Sequence, residues 1–330
     1  MAKFKAYRIY NVDGKVQARL VDTTLDELDP GEVVLKTAFS SVNYKDALAA
    51  TGAGKIIRRF PCIGGVDASG TVISSTDSRI KEGDRVICTS YDLGVAHDGG
   101  YSEYLRVPAA WVVPLPNGLT LFEAMAVGTA GFTAALAVER MEHDGLSPAN
   151  GSVIVTGATG GVGSIAIDIL AGAGYSVVAL TGKAGETEYL KRLGAKEIVV
   201  RSSLDLSKIK PLDKATWAGA VDNLGGDVLA WLASTMQIGG TLASIGLAAG
   251  HALNTTVMPF ILRGVSLLGI DSVNAPMAVR QRVWQRLASD LKPRHLNDMC
   301  NTVALEQLPA VFETILKAQA RGRTVVKLAG

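Results

Sequence analysis

The chain is short of cysteine, histidine and net charge, and each shortage removes a class of function. Its three cysteines, Cys62, Cys88 and Cys300, are odd in number and far apart. No C-x-x-C pair occurs, so neither a disulfide framework nor a zinc knuckle is implied. The four histidines (His97, His143, His251 and His295) are scattered without metal-ligand spacing. Basic residues number 33 against 31 acidic ones, and the resulting charge of +2 is well mixed along the chain. Nothing there suggests a nucleic-acid surface or a lipid-binding patch.

Long uninterrupted apolar runs are missing as well. The most membrane-like stretch, GVGSIAIDILAGAGYSVVALTG (161–182), is broken by Asp168, Gly172 and Gly174. A helix followed by a strand explains it better than a membrane span. The start, MAKFKAYRIY, alternates like a first strand and lacks the apolar core of a signal peptide. A reduced, cytoplasmic, soluble protein is expected.

Glycine and apolar residues fill the space these absences leave. There are 36 glycines, and 48% of the 330 residues are hydrophobic, as in a folded, turn-rich α/β chain of roughly two domains. Residues 1–110 give short alternating runs such as AYRIYNV, EVVLKTAFSSV, DRVICTS and YSEYLRV, punctuated by Gly and Pro. That rhythm fits a small antiparallel barrel or sandwich. From about residue 120 it changes. Apolar strands VIVTG (153–157), SVVALTG (176–182), EIVVR (197–201), AGAVDNLG (218–225), GTLASIG (240–246) and VSLLGID (265–271) mostly alternate with helical segments. This is the signal of parallel βαβ units. A final strand, RTVVKL, closes the chain.

The stretch VIVTGATGGVG (153–163) is the sharpest local feature. Its glycines follow a buried-type strand and open a helix, whose first amides are unpaired and carry a partial positive charge. No Lys-Ser/Thr pair follows, which excludes a P-loop. The best register is Ala158-x-Gly160-x-x-Gly163, with alanine at the tight turn, Gly160 allowing close approach of phosphates and Gly163 letting helix meet strand. A dinucleotide pyrophosphate is the natural occupant. About 20 residues on, NAD enzymes place a carboxylate; here stand Thr181, Gly182 and Lys183, with Arg201 ending the third strand. A hydroxyl, a backbone amide and two cations suit a 2′-phosphate, so NADPH is expected.

A β-rich first third, a mid-chain Rossmann segment and a terminal strand together resemble the medium-chain dehydrogenase/reductase superfamily. Short-chain dehydrogenases share a T-G-x-x-x-G-x-G pattern but place it near the N-terminus and need a Y-x-x-x-K pair that is missing here. Zinc members of the medium-chain group carry ligands in two segments that match SVNYKD (41–46) and GVDASG (65–70). Asn43, Tyr44, Val66 and Asp67 occupy those positions, too few metal donors for catalytic zinc. The blocks SVNYKDALA, GVDASGTV, AVGTAGFTAALAV, WAGAVDNLGG, PFILRGVSLLGIDSV and RGRTVVKL are similar to the quinone-oxidoreductase-like branch, within it to NADPH-dependent acryloyl-CoA reductases.

The resemblance implies a GroES-like β-barrel catalytic domain over 1–125 and 297–330, and a doubly wound Rossmann domain over 126–296. It implies zinc-free reduction of acryloyl-CoA to propanoyl-CoA, with NADPH contacts at Tyr44, Gly160, Gly161, Val162, Gly163, Thr181, Gly182, Lys183, Arg201, Leu247, Ile261 and Ser272. Tyr44 could donate a proton or hydrogen bond to the enolate, or only stack on the nicotinamide. Asn43 could orient the thioester or cap a turn. For coenzyme A phosphates, Lys55, Arg58, Arg59, Arg321 and Arg323 are candidates. Quinone or enone reduction, or idle NADPH binding, are the alternatives. A homodimer is expected, paired through the edge strand at 265–270.

Overall fold

The computed structural model describes residues 3–328. The chain forms two compact units, Met1–Thr129 with Val273–Ala288 and Leu296–Gly330, and Ala130–Ser272 with Ser289–His295.

The first unit is antiparallel β structure. Its strands are β1 (Phe4–Val12), β2 (Lys15–Thr23), β3 (Val33–Val42), β4 (Cys62–Ile63), β5 (Asp67–Ser75), β6 (Arg85–Thr89), β7 (Tyr104–Val107) and β8 (Val112–Pro114), with the short helix α1 (Tyr44–Thr51) after β3. The alternating burial of β1, where Phe4 and Ala6 are buried and Lys5 exposed, follows from the two-residue strand period. The long helix α2 (Leu121–His143) follows, its backbone broken at Gly128 (φ 51°, ψ −160°). It is apolar and long enough to cross a membrane, yet 78% of its most apolar window is buried. A core helix satisfies that description.

The second unit carries β9 (Ser152–Thr156), α3 (Gly161–Gly172), β10 (Ser176–Thr181), α4 (Thr187–Arg192), β11 (Glu197–Val200), β12 (Trp217–Asp222), α5 (Gly226–Thr235), β13 (Met236–Ser244), α6 (Met258–Arg263) and β14 (Ser266–Gly269). Its six strands lie in the order β11-β10-β9-β12-β13-β14, all parallel. This is the doubly wound arrangement expected from the alternation of strands and helices. The order reverses between β9 and β12. Ile154, Val178, Leu180, Ala220, Val228, Leu232 and Leu242 pack into the core of this unit.

After β14 the chain forms α7 (Met277–Leu287) and ends in β15 (Cys300–Val303) and β16 (Arg323–Lys327). In the first unit's large sheet these give the order β15-β16-β3-β5-β6-β8, with β7 also on β3. The segment Val273–Ala288 groups with the first unit, where the sequence places it in the 126–296 domain. Buried Arg280 of α7 is one reason: it donates to the Thr89 carbonyl and hydroxyl and lies over the Tyr91 ring. Ser289–His295 is tied to the second unit instead. Asp168, buried in α3, accepts the backbone amides of Arg294 and His295.

Candidate functional site

In the second unit the chain leaves β9 and reverses at Gly157, whose φ of +59° is open to glycine at little cost. The left-handed residue is thus Gly157, one position before Ala158, which the sequence pattern put at the tight turn; Ala158 is fully buried. Gly163 behaves as its place in the pattern demands. A Cβ there would stand 2.4 Å from the Gly157 carbonyl oxygen, so only glycine lets α3 approach β9 this closely. At Gly160 a Cβ would meet only that same oxygen, at 3.3 Å. Gly161, Val162 and Gly163 open α3, and no acidic side chain occupies its first turn. Backbone amides, a positive helix end and a close-approach glycine together fit a pyrophosphate.

The end of β10 lies beside the end of β11, since Thr181 pairs with Val200. Gly182 and Lys183 therefore share a sheet edge with Arg201, the exposed residue that follows Val200. Thr181 is buried, and its hydroxyl accepts the Lys183 amide at 3.0 Å. Thr181 braces the turn, and its hydroxyl already engages the amide that the sequence offered to a phosphate. At the strand end stand the Gly182 backbone and the cationic residues Lys183 and Arg201. A Cβ on Gly182 would meet nothing within 4 Å. Leu247 (66% exposed) follows β13, and Ile261 (71% exposed) lies in α6. Ser272 is buried, its hydroxyl accepting that of Thr133 at 2.8 Å.

In the first unit, strand register gathers a polar cluster. Antiparallel pairing sets Ser40 opposite Ala68, and Thr324 opposite Val42. Asp67 and Arg323 thereby arrive beside Ser41 and Asn43. The fully buried Asp67 carboxylate accepts from the Ser41 hydroxyl (2.6 Å), Asn43 Nδ2 (2.7 Å), and the Thr129 amide (3.0 Å) and hydroxyl (2.5 Å). Arg323 Nη2 lies 3.9 Å from it. Gly128 makes room, because a Cβ there would fall 2.6 Å from both Arg323 Nη2 and Ser41 Oγ.

Asn43 caps α1, its amide donating to Asp46 at 2.8 Å, while its side-chain oxygen accepts from Arg323. Both ends of that amide side chain are engaged within the cluster. Asp46 is buried and also accepts the Val66 amide at 3.0 Å. Burial, helped by the neighbouring Asp67 charge, pushes its carboxyl up to about 7. Tyr44, the next residue after Asn43, is 54% exposed. Zinc does not fit here: of residues 43, 44, 66 and 67, only Asp67 offers an ordinary zinc-ligating side chain, and its oxygens are taken by the cluster. The thiols are poor nucleophiles, burial pushing Cys62 and Cys88 up to about 12 and Cys300 to about 11.

Arg323 corrects a sequence expectation. It is only 3% exposed and donates to the carbonyls of Ala126 and Val42 as well as to Ser41 and Asn43. A guanidinium so placed is a cross-brace, unavailable to a coenzyme phosphate. Arg58 stays on the surface but pairs with Asp92, and Arg59 with Asp29; Lys55 is exposed. Ser41 and Thr129 are cluster members that sequence reasoning missed. Both had a signal: Ser41 is the first residue of SVNYKD, and Thr129 lies in the block AVGTAGFTAALAV.

Residues 29–117 match the alcohol dehydrogenase GroES-like domain, and residues 161–289 the zinc-binding dehydrogenase family. The putative quinone oxidoreductase YhfP of Bacillus subtilis is 52% identical over 317 residues, covering 96% of each chain. The acrylyl-CoA reductase AcuI of Ruegeria pomeroyi is 48% identical over 313 residues, covering 95% of each. Among solved structures, YhfP with NAD bound superposes with a TM-score of 0.97 at 50% identity, over 99% of this chain and 100% of that one. The yhdH oxidoreductase of Salmonella enterica in complex with NADP gives 0.96 at 45% identity, over 98% and 100%. Full-length similarity of this degree, on a barrel-plus-Rossmann fold, makes the chain a member of the medium-chain dehydrogenase/reductase family, in the quinone-oxidoreductase-like group that includes YhfP and AcuI.

Proposed function

We propose that this protein is an NADPH-dependent reductase of acryloyl-CoA, yielding propanoyl-CoA. The observation that carries the reading is the β10 end, where Lys183 and Arg201 flank an open glycine and no carboxylate stands. That is a place for a 2′-phosphate, and a carboxylate would repel it. Near-full-length similarity to AcuI supports the substrate.

NADPH, when bound, supplies a hydride to the β carbon of the enoyl thioester. The chain's own residues do the rest. The loop from Gly157 to Gly163 presents main-chain amides to the pyrophosphate. The ammonium of Lys183 and the guanidinium of Arg201 neutralise the 2′-phosphate. Asn43, locked between Asp67 and Arg323, holds the start of α1 in place and leaves the adjacent Tyr44 to meet the substrate. The Tyr44 phenol would donate to the thioester oxygen as negative charge builds there, and a proton from solvent would then add to the α carbon, completing the saturated thioester. Fixed dipoles and alignment provide the rate, with no step routed through a metal.

The test measures NADPH oxidation with acryloyl-CoA, longer enoyl-CoA esters and simple quinones. Acryloyl-CoA is expected to be the best substrate, and Tyr44→Phe to lower kcat by about tenfold or more with little change in KM. A quinone turned over faster than any thioester sinks the substrate reading and favours the alternative that the name of YhfP suggests. A Tyr44→Phe variant with full kcat and only a raised KM leaves the ring a packing role. The protein works in the cytoplasm as a homodimer through the edge of β14, where Leu267 is exposed; sedimentation checks that assembly.

A further inference from the structure

β9 and β12 are the strands between which the sheet order reverses, and crevices at such points receive ligands in open α/β sheets. One fully buried carboxylate stands at their carboxyl ends. Asp222, the last residue of β12, accepts the hydroxyl of Thr156, the last residue of β9, at 2.7 Å. The same carboxylate accepts the amides of Leu224 (3.2 Å) and Gly225 (2.8 Å). Its backbone carbonyl accepts the amides of Ile245 (2.9 Å) and Gly246 (3.2 Å), which begin the loop after β13. Thr156 returns the link, its hydroxyl accepting the Asn223 amide at 2.9 Å and its carbonyl accepting Asn223 Nδ2 at 2.7 Å.

A single residue therefore joins the turns that end three neighbouring strands: the Gly157 turn, the 223–226 turn and the loop bearing Leu247. The backbones around it meet closely. A Cβ on Gly246 would lie 2.3 Å from the Asn223 carbonyl oxygen, and one on Gly225 lies 2.4 Å from that of Gly250. An apolar side chain would close such a site more cheaply than a buried carboxyl, which is worth keeping only where its acceptors fix geometry. The core of this unit is apolar and complete without it. The geometry that Asp222 fixes is that of loops, not of the core.

We propose that Asp222 is a positioning residue for dinucleotide binding, holding the phosphate-facing glycine turn and the Leu247 loop at a set separation without touching the cofactor. The inference rests on the dinucleotide reading above. Its test uses Asp222→Asn, Thr156→Val and Thr156→Ser in the full chain, with NADPH affinity by calorimetry, steady-state kinetics and thermal melting. Asp222→Asn and Thr156→Val are expected to raise both Kd and KM for NADPH about tenfold, with kcat at saturating NADPH within about threefold and KM for the thioester unchanged. Thr156→Ser, which keeps the hydroxyl, is expected to bind NADPH like the parent protein. If Asp222→Asn does not fold, the Thr156 pair carries the same comparison. Variants that melt earlier but bind NADPH normally overturn the proposal and leave a structural role. A parent protein that binds no dinucleotide overturns this inference and the functional reading together, whereas normal binding in parent and variants alike overturns this inference alone.

Discussion

Each of the two units rests its candidate functional surface on a fully buried carboxylate, and the two draw on main chain and side chain in different proportions. Asp67 is held mostly by side chains, from Ser41, Asn43, Thr129 and the nearby Arg323, with one main-chain amide, that of Thr129. Asp222 is held by two main-chain amides and one hydroxyl. The first cluster can be altered largely piece by piece, because every donor except the Thr129 amide is a replaceable side chain. The second is built into turns whose amides no substitution removes except proline. On the proposed function, the first cluster serves the reacting end and the second serves cofactor geometry.

The comparison breaks most visibly at Arg323. Arg323→Ala removes the cation beside Asp67 and leaves four backbone and side-chain acceptors without their donor, so a loss of about 3–5 kcal/mol in denaturant unfolding is expected. The double variant Asp67→Asn/Arg323→Met is expected to lose less than the single one. Equal losses would mean that the two groups do not act as a pair.

Asp46 gives the next effect, seen as pH dependence. Its carboxyl keeps a proton up to about 7 in the folded chain, against an ordinary value of 3.8. Between those values the native state binds the proton that the unfolded state releases. The stability this contributes is full below about pH 4 and is lost as pH rises through about 7, by on the order of 2–4 kcal/mol. Asp46→Asn is expected to flatten that slope, whatever it does to stability at one pH. An unchanged slope would mean that other acids set it.

At the main-chain side, Gly163→Val forces a side chain against the Gly157 carbonyl. About 1–3 kcal/mol of stability and most NADPH binding should go together. Retained binding would remove the loop from the cofactor site. The smallest effect is a shift in preference. Lys183→Glu is expected to raise KM for NADPH about tenfold more than KM for NADH, a difference near 1.4 kcal/mol, with no change in melting. Equal effects on both would leave the 2′-phosphate unassigned.

The glycine turn and the parallel strands were legible because their causes are local. A strand of buried β-branched residues and a glycine that must admit a helix leave their mark within a dozen positions. The Arg323 misreading has the opposite origin. In sequence it is one cation among three basic residues in RGRTVVK, and a charge in such a run is usually solvated. Only pairing of β16 with β3 buries it against Val42 and Asn43. Thr181 shows a finer point, since a hydroxyl at a strand end can brace its own turn as an acceptor, and only the backbone direction reveals that bond.

The order of amino acids alone determined the doubly wound sheet, its glycine turn and the lack of metal donors at 43, 44, 66 and 67, because hydrophobic period, glycine and donor chemistry act over short stretches of chain. Tertiary structure alone decided which polar residues are buried in hydrogen-bonded clusters and which lie on the surface. Asp67, Arg323, Thr156 and Asp222 have their roles through hydrogen bonds between strands distant in sequence, and such bonds exist only once the sheets have formed.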